Sequence, residues 1–330
     1  MSISEADISI LIPTFRYRDK IVRALESALE SGASEIIVVD DCSRDGTIEA
    51  LACYKDPRLT VIENERNLGL WENHLKALGL ATRPWIKFIQ ADDYLLSGGL
   101  AAYAAAAAPE VSVISGAPVL KDDETDETWI TYKTSQPLQL DWCAFERACH
   151  LFGWFLGSPS YMMLRADAIT RDPQVWRREM SADLVVGTIA AGKGAVVVLP
   201  PGAIGQGVHA SQNSYTQGAG LALIRSANSL AYLRATGDSR LQRLADAWTM
   251  LNLARTIHCF ARGALRREGS IAALLSSVWL YLSNPGSGGW IRMLSDGRSP
   301  VLEALWYRKI HRPPFDLDVL FRMPDVKVPQ

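Results

Sequence analysis

The sequence predicts an α/β fold, a largely parallel, doubly wound sheet flanked by helices, and three observations carry that prediction. Short β-branched runs alternate with amphipathic helical segments through the first third of the chain. The runs are apolar nearly throughout, as strands covered on both faces are. Polar clusters follow three of them, at Pro13–Thr14, Asp40–Asp41 and Asp92–Asp93, and ligands of such sheets bind at the carboxyl ends of strands.

In order, Ile8 to Ile12 is a strand stopped by Pro13, and Asp19 can cap a helix with Ile21, Val22, Leu25, Ala28 and Leu29 on one face. Glu35 to Val39 is a second strand, Thr47 to Tyr54 a helix, Leu59 to Ile62 a third strand and Leu70 to Ala81 another helix. Trp85 to Ile89 is a fourth strand, followed by an alanine-rich helix from Leu100 to Ala108 and a strand from Val111 to Ser115. Lys121 to Thr128 is acidic and reads as a solvated connection. A helix near Asp141 to Phe152, a strand from Ser158 to Leu164, a helix from Glu179 to Ala191 and a strand from Ala195 to Leu199 come next. Beyond Gly218 the pattern is helical to about Leu265, so the chain divides near residue 215 into a catalytic domain (1–215) and a helical C-terminal region (216–330).

Composition narrows the function classes. Net charge is −2, so no whole-chain basic field points to nucleic acid. The balance is uneven: from Arg255 onward eleven Lys/Arg stand against six Asp/Glu, while the rest of the chain is acidic. Basic residues Arg262, Arg266, Arg267, Arg308, Lys309 and Arg312, near apolar and Trp-containing stretches, would suit peripheral contact with an anionic membrane surface. Five scattered cysteines without a CxxC pair suggest neither a disulfide framework nor a zinc site. No apolar stretch reaches membrane-spanning length and the first residues lack signal-peptide character, so the expected location is the cytoplasm.

Like charges brought together are costly without a cation or donor groups. Two Asp pairs at strand ends therefore suggest a nucleoside diphosphate and a hard divalent ion, Mn²⁺ or Mg²⁺. Trp71, Trp142 and Trp154 could stack on sugar rings, although aromatic residues in helical segments are more often core.

The segments ISILIPTFRY, EIIVVDDCSRDGT and NERNLGLWENHLKALGLATRPWIKFIQADDYLL, in that order and spacing, resemble the nucleotide-binding half of family 2 glycosyltransferases, which have the GT-A fold. The resemblance is strong over residues 8 to 100 and weaker to about 215. It implies an inverting enzyme that moves a sugar from a nucleoside diphosphate sugar, with a UDP-sugar as the expected donor, to a saccharide or lipid-linked saccharide hydroxyl in surface polysaccharide assembly. By that resemblance Pro13, Thr14 and Phe15 line the base pocket, Asp41 accepts from the base, and Asp40 supports that loop. Asp93 matches the metal-binding carboxylate and Asp92 the residue near ribose or sugar. Gln90 stands where many members carry a first Asp, so the metal would rest mainly on Asp93 and the diphosphate. Asn73 matches a position facing the donor, with Lys87 as a further candidate. Asp183 fits the place of the general base, although Ala182 replaces the usual preceding Glu and Glu179 is a substitute. His209, near Gly205 and Gly207, fits a diphosphate or metal contact, and Gly202, Gly205 and Gly207 suit a lid.

Two other classes compete. A sugar-nucleotide nucleotidyltransferase shares the sheet but needs a glycine-rich loop after the first strand, where this chain has PTFRYRDK. A non-catalytic saccharide-binding descendant would fit Gln90 and Ala182, and the acids Asp41, Asp92, Asp93 and Asp183 oppose it.

Overall fold

The computed structural model describes residues 3–209, 219–249, 315–317 and 326–327. Four parallel strands lie in the order β3–β2–β1–β4: β1 (Ile8–Thr14), β2 (Glu35–Asp40), β3 (Leu59–Glu63) and β4 (Trp85–Phe88). Every residue of β1 is buried, as a central strand covered on both faces requires. Side chains alternate across the sheet. Ile10, Ile12, Ile36 and Val38 pack on the face covered by α1 (Arg18–Leu29), α2 (Thr47–Leu51) and α4 (Gly99–Ala105). Leu11, Ile37 and Val39 pack on the opposite face, under α3 (Leu70–Leu80), α5 (Trp142–Phe152), α6 (Ala182–Ala191) and α7 (Ala219–Ala235).

The sheet continues beyond β4 as a mixed one. Strand β10 (Met162–Arg165) runs antiparallel between β4 and β6 (Val111–Asp122), and β11 (Ala195–Val208) runs parallel to β6. The run at 158–164 is thus a strand in its second half only, preceded by a 3-10 turn at Pro159–Tyr161. Its direction is set by how the chain crosses the sheet, which four apolar residues do not record. A short strand β5 (Asp93–Leu95) pairs with β11, β7 (Thr128–Ile130) with β6, and β9 (Leu138–Leu140) with the outer side of β11.

Two loop readings change. Gly205 and Gly207 lie within β11, opposite β5, rather than in a lid. A Cβ on Gly205 would stand 2.5 Å from the Tyr94 ring, and one on Gly207 would stand 2.6 Å from the Asp92 carbonyl oxygen. The glycines are there because a strand passes directly against the acidic turn. In the acidic 121–128 segment, Asp123 is not merely solvated: its carboxylate accepts from Lys20 and Arg23 of α1.

Helix α7 packs on α6, a second helical stretch covers 239–249, and residues 326–327 pair with β9 at the sheet edge. The basic residues from Arg262 to Arg312 and the apolar stretch from Ile271 lie outside the described residues. Among the described residues no helix is long and apolar enough to cross a membrane. Trp71 and Trp154 are core residues: their indole N–H groups donate to the Met180 and Gly157 carbonyls, and Trp142 packs on Phe145.

Gly205→Ala is expected to lower stability by about 1–3 kcal/mol, because the new methyl overlaps the Tyr94 ring. Urea unfolding measures it, and an unchanged midpoint would show that the ring yields freely.

Candidate active site

The carboxyl ends of β1, β2 and β4 form one crevice. At the end of β2, Asp40 is fully buried and accepts from the N–H and hydroxyl of Ser43. Asp41, 1% exposed, is held by three donors outside its own turn. Its Oδ1 accepts from the Leu68 N–H at 2.7 Å and the Asn64 amide at 2.8 Å, and its Oδ2 from the Gly69 N–H at 2.8 Å. Both carboxylates of this pair are therefore compensated by protein donors, with no cation needed. Asn73 belongs to the same network, donating to the Val39 carbonyl and accepting from Asn64. Its side chain braces the crevice from below.

At the end of β1, Pro13 and Thr14 are buried and Phe15 is exposed, with the Arg16 guanidinium 4.9 Å from its ring centre. The Thr14 hydroxyl is buried without a hydrogen-bond partner. It adjoins the Asp41 turn, because the Asp41 N–H donates to the Thr14 carbonyl at 2.9 Å.

The turn after β4 is different in kind. Asp93 is 2% exposed and its Oδ1 has no hydrogen-bond partner. Burial first, and then the neighbouring Asp92 charge, push its pKa well above the usual carboxylate range, against Ser160, Lys87 and the Gly207 N–H. Lys87 is fully buried on β4, donating to the Ser160 carbonyl, with its ammonium 4.2 Å from the Tyr103 ring centre. Burial lowers its pKa to about 7, and Asp93 opposes that shift. Lys87 thus lies beneath the turn as a counter-charge rather than along the crevice. The backbone N–H of Gln90 donates to the Ser160 hydroxyl at 2.8 Å, so Ser160 ties the turn to the antiparallel half of the sheet.

Asp92 meets His209 Nε2 at 3.1 Å, and the Tyr17 ring packs edge-on to His209 with centroids 5.9 Å apart. Tyr17 also hydrogen-bonds Asp92; burial, with the Asp92 and Asp93 charges adding, pushes its phenol well above its ordinary pKa. Arg23 of α1 donates to the Asp92 carbonyl at 2.8 Å and to Asp123 at 3.2 Å. Tyr17, Arg23, Asp123 and Ser160 are site residues the sequence did not single out. Each reaches the acidic turn from a distant segment, and no local spacing marks that.

Among the described residues no three His, Cys, Asp or Glu converge to hold a metal ion on their own. Mg²⁺ and Mn²⁺ commonly take one or two carboxylates and complete their shell with phosphate oxygens and water. The unpartnered, buried Oδ1 of Asp93 fits that donor set.

Asp183 stands in the first turn of α6. Burial raises its pKa to about 6, opposed by the N–H groups of the helix start and by Arg225. With Trp71, His74, Phe88, Pro159 and Trp176 it lines a small apolar gap behind the β4 turn. It can therefore hold a proton below neutrality and accept one above, the property a general base needs. Glu179 lies on the exposed approach to α6.

Residues 9–171 match the model of the family described as "Glycosyl transferase family 2". The chain is similar to the succinoglycan biosynthesis protein ExoO of Rhizobium meliloti, 38% identical over 89 residues, which are 26% of each chain. It is also similar to the UDP-Glc:alpha-D-GlcNAc-diphosphoundecaprenol beta-1,3-glucosyltransferase WfaP of Escherichia coli, 35% identical over 89 residues, 26% of this chain and 36% of WfaP. The matches thus span about a quarter to a third of these relatives. Among solved structures, S. aureus TarS 1-349 in complex with UDP-GlcNAc matches with a TM-score of 0.64 over 92% of both chains, at 15% identity. That likeness shows the fold, the GT-A arrangement of a mixed sheet between helices.

A carboxyl whose pKa rises from 3.8 to about 6 on folding contributes stability below pH 3.8 that is lost as pH passes 6. Asp183→Asn should therefore raise the urea midpoint at pH 8 relative to wild type and change it little at pH 4. Equal effects at both pH values would show that the Asp183 carboxyl is not held protonated by its surroundings.

Proposed function

Residues 9–171 are a glycosyl transferase family 2 domain, and from that premise we propose that the protein transfers a sugar, with inversion, from a UDP-sugar to a hydroxyl of a saccharide or lipid-linked saccharide in polysaccharide assembly. The observation that carries the reading is the asymmetry of the two acid pairs. The β2 pair is compensated by protein donors, whereas after β4 Asp93 keeps a buried oxygen with no partner, and at the end of β1 the buried Thr14 hydroxyl also lacks one. A nucleoside diphosphate with its ion answers both. UDP in the TarS complex, and UDP-Glc with a diphosphoundecaprenol-linked acceptor in the WfaP name, support the donor and the acceptor class.

In this mechanism Pro13, Thr14 and Phe15 flank the base, and Asp41 fixes the wall against which it lies. Mg²⁺ or Mn²⁺ at Asp93, when bound, neutralises charge on the departing diphosphate. Asp92, oriented by Tyr17 and His209, faces the ribose or sugar, and His209 lies close enough to reach the diphosphate. Asp183 accepts the acceptor's hydroxyl proton while that oxygen bonds to the anomeric carbon, and the bond from that carbon to the diphosphate oxygen breaks on the opposite face. The nucleoside diphosphate leaves with the electron pair.

Purified protein with a panel of nucleotide sugars and Mn²⁺ or Mg²⁺ is expected to release nucleoside diphosphate slowly from one donor. Asp93→Ala should reduce that release at least about tenfold, the scale of losing one ligand of a charge-stabilising site. With acceptor present, kcat should rise with pH through about 6 and level off, a limb that Asp183→Asn removes along with transfer. If no nucleotide sugar is turned over and none raises the melting temperature, the reading fails.

A further inference from the structure

Beside the segment that enters α6 lies a cleft of about 880 Å³, within the range of small-ligand sites. Its walls are residues 174–180, α7 and the helical residues 239–249. None of its lining residues falls within 9–171, so the family match says nothing of it.

Its chemistry is specific. The Arg234 side chain is 8% exposed, its Nε donates to Asp246 at 2.7 Å, and one terminal nitrogen donates to Thr249 and the Ala245 carbonyl. The other terminal nitrogen is buried with no partner. A guanidinium keeps its charge at every pH, so Arg234, held by Asp246, is a fixed cation in the cleft wall. Asn228 and Gln242 each give an amide N–H to a backbone carbonyl, of Glu179 and of Arg234, which leaves their amide oxygens as acceptors. Arg177 and Arg234 balance Glu179 and Asp246 in charge. A polyanion would gain little there, and an acyl chain would leave the amide oxygens of Asn228 and Gln242 desolvated without donors. A chain of hydroxyl groups, each both donor and acceptor, suits the lining.

The cleft also borders the segment that leads into α6. Glu179 and Met180 line it. The Met180 carbonyl accepts from Trp71, and the Ser181 N–H at the start of α6 donates to Ser229 of α7. Asp183 follows two residues later, and Arg225 of α7 acts on its charge.

We propose that this cleft holds the non-reacting part of the acceptor, an uncharged chain of sugar residues running away from Asp183. The assignment rests on the reading that Asp183 takes the acceptor proton. Binding of the full-length protein to neutral di- and hexasaccharides (cello-, laminari-, malto- and manno- series) and to hexagalacturonate is followed by saturation-transfer NMR without donor. At least one neutral hexasaccharide should bind about fivefold or more tighter than its disaccharide. The double variant Gln174→Ala, Gln242→Ala, at two residues of the cleft lining, should cancel that difference, about fivefold for each lost hydrogen bond. Its donor hydrolysis should stay unchanged, and the variant should remain cooperatively folded, with a melting temperature lowered only by the lost Gln242–Arg234 hydrogen bond. Preference for hexagalacturonate, no length dependence in any neutral series, or length dependence that survives in the variant overturns the cleft. Failed donor hydrolysis with intact length-dependent binding would instead overturn the transfer reading.

Discussion

Asp41 gives up water at the end of β2 and takes the N–H groups of Leu68 and Gly69 in exchange, which are the donors at the threshold of α3. A helix start has such N–H groups to offer because nothing within the helix accepts them. One carboxylate thereby fixes where α3 begins, and α3 fixes much else. Asn73, one turn on, clasps the Val39 carbonyl in β2, and the Trp71 indole holds the Met180 carbonyl just before α6. The end of β2 and the start of α6 are in register because both are referred to α3. Asp41 can contact a base only through the lone pair left on Oδ2, so its larger contribution is geometric.

The turn after β4 carries the opposite electrostatic condition. Two adjacent acids and a buried amine lie among Tyr17, Tyr103, Ser160 and Tyr161, and the donors supplied do not reach every oxygen. Lys87 cannot discharge the pair, because its ammonium is directed to the Ser160 carbonyl and burial weakens its own hold on the proton. Burial and the Asp92 charge therefore raise the Asp93 pKa well above the usual carboxylate range. Water exclusion here raises both the cost of the empty site and the strength of whatever binds, which is how preorganised sites stabilise charge. The ion cluster of Lys20, Arg23 and Asp123 holds the turn's backbone from the α1 side, through the Arg23 bond to the Asp92 carbonyl.

The strands of the first hundred residues and the acids at their ends were legible because both signals are local: a run of β-branched residues, then a change to polar. The course of β10 and β11 was not, since strand direction follows from long connections. The glycines of β11 read as a mobile segment because sequence shows an absent side chain without its reason, here the Tyr94 ring and the Asp92 carbonyl pressed against the backbone. Lys87 and Asn73 were legible as polar residues in apolar settings, but whether such a residue faces a ligand or braces the wall behind it depends on contacts tens of residues away. Ser160 shows the limit most plainly. Nothing in the run from Ser158 to Leu164 distinguishes it, yet its hydroxyl and carbonyl join Gln90, Asp93 and Lys87.

Gln90 is the position where the chain departs from the acidic pattern it resembles, and His74 supplies a physical reason. The His74 ring is fully buried and its Nδ1 meets the Leu70 carbonyl at 2.6 Å, so Nδ1 carries the proton and Nε2 presents a lone pair. Burial lowers the ring's pKa to about 4, and the Gln90 side chain lies within its electrostatic reach. A carboxylate at position 90 would face that lone pair and could be accommodated only by drawing a proton onto a ring packed against Trp71 and Phe88. An amide can turn its N–H to the lone pair at no charge cost. The substitution removes a third acid from the turn and keeps the apolar gap shared by His74 and Asp183 neutral. That environment raises the Asp183 pKa toward the value at which a carboxylate is a useful base.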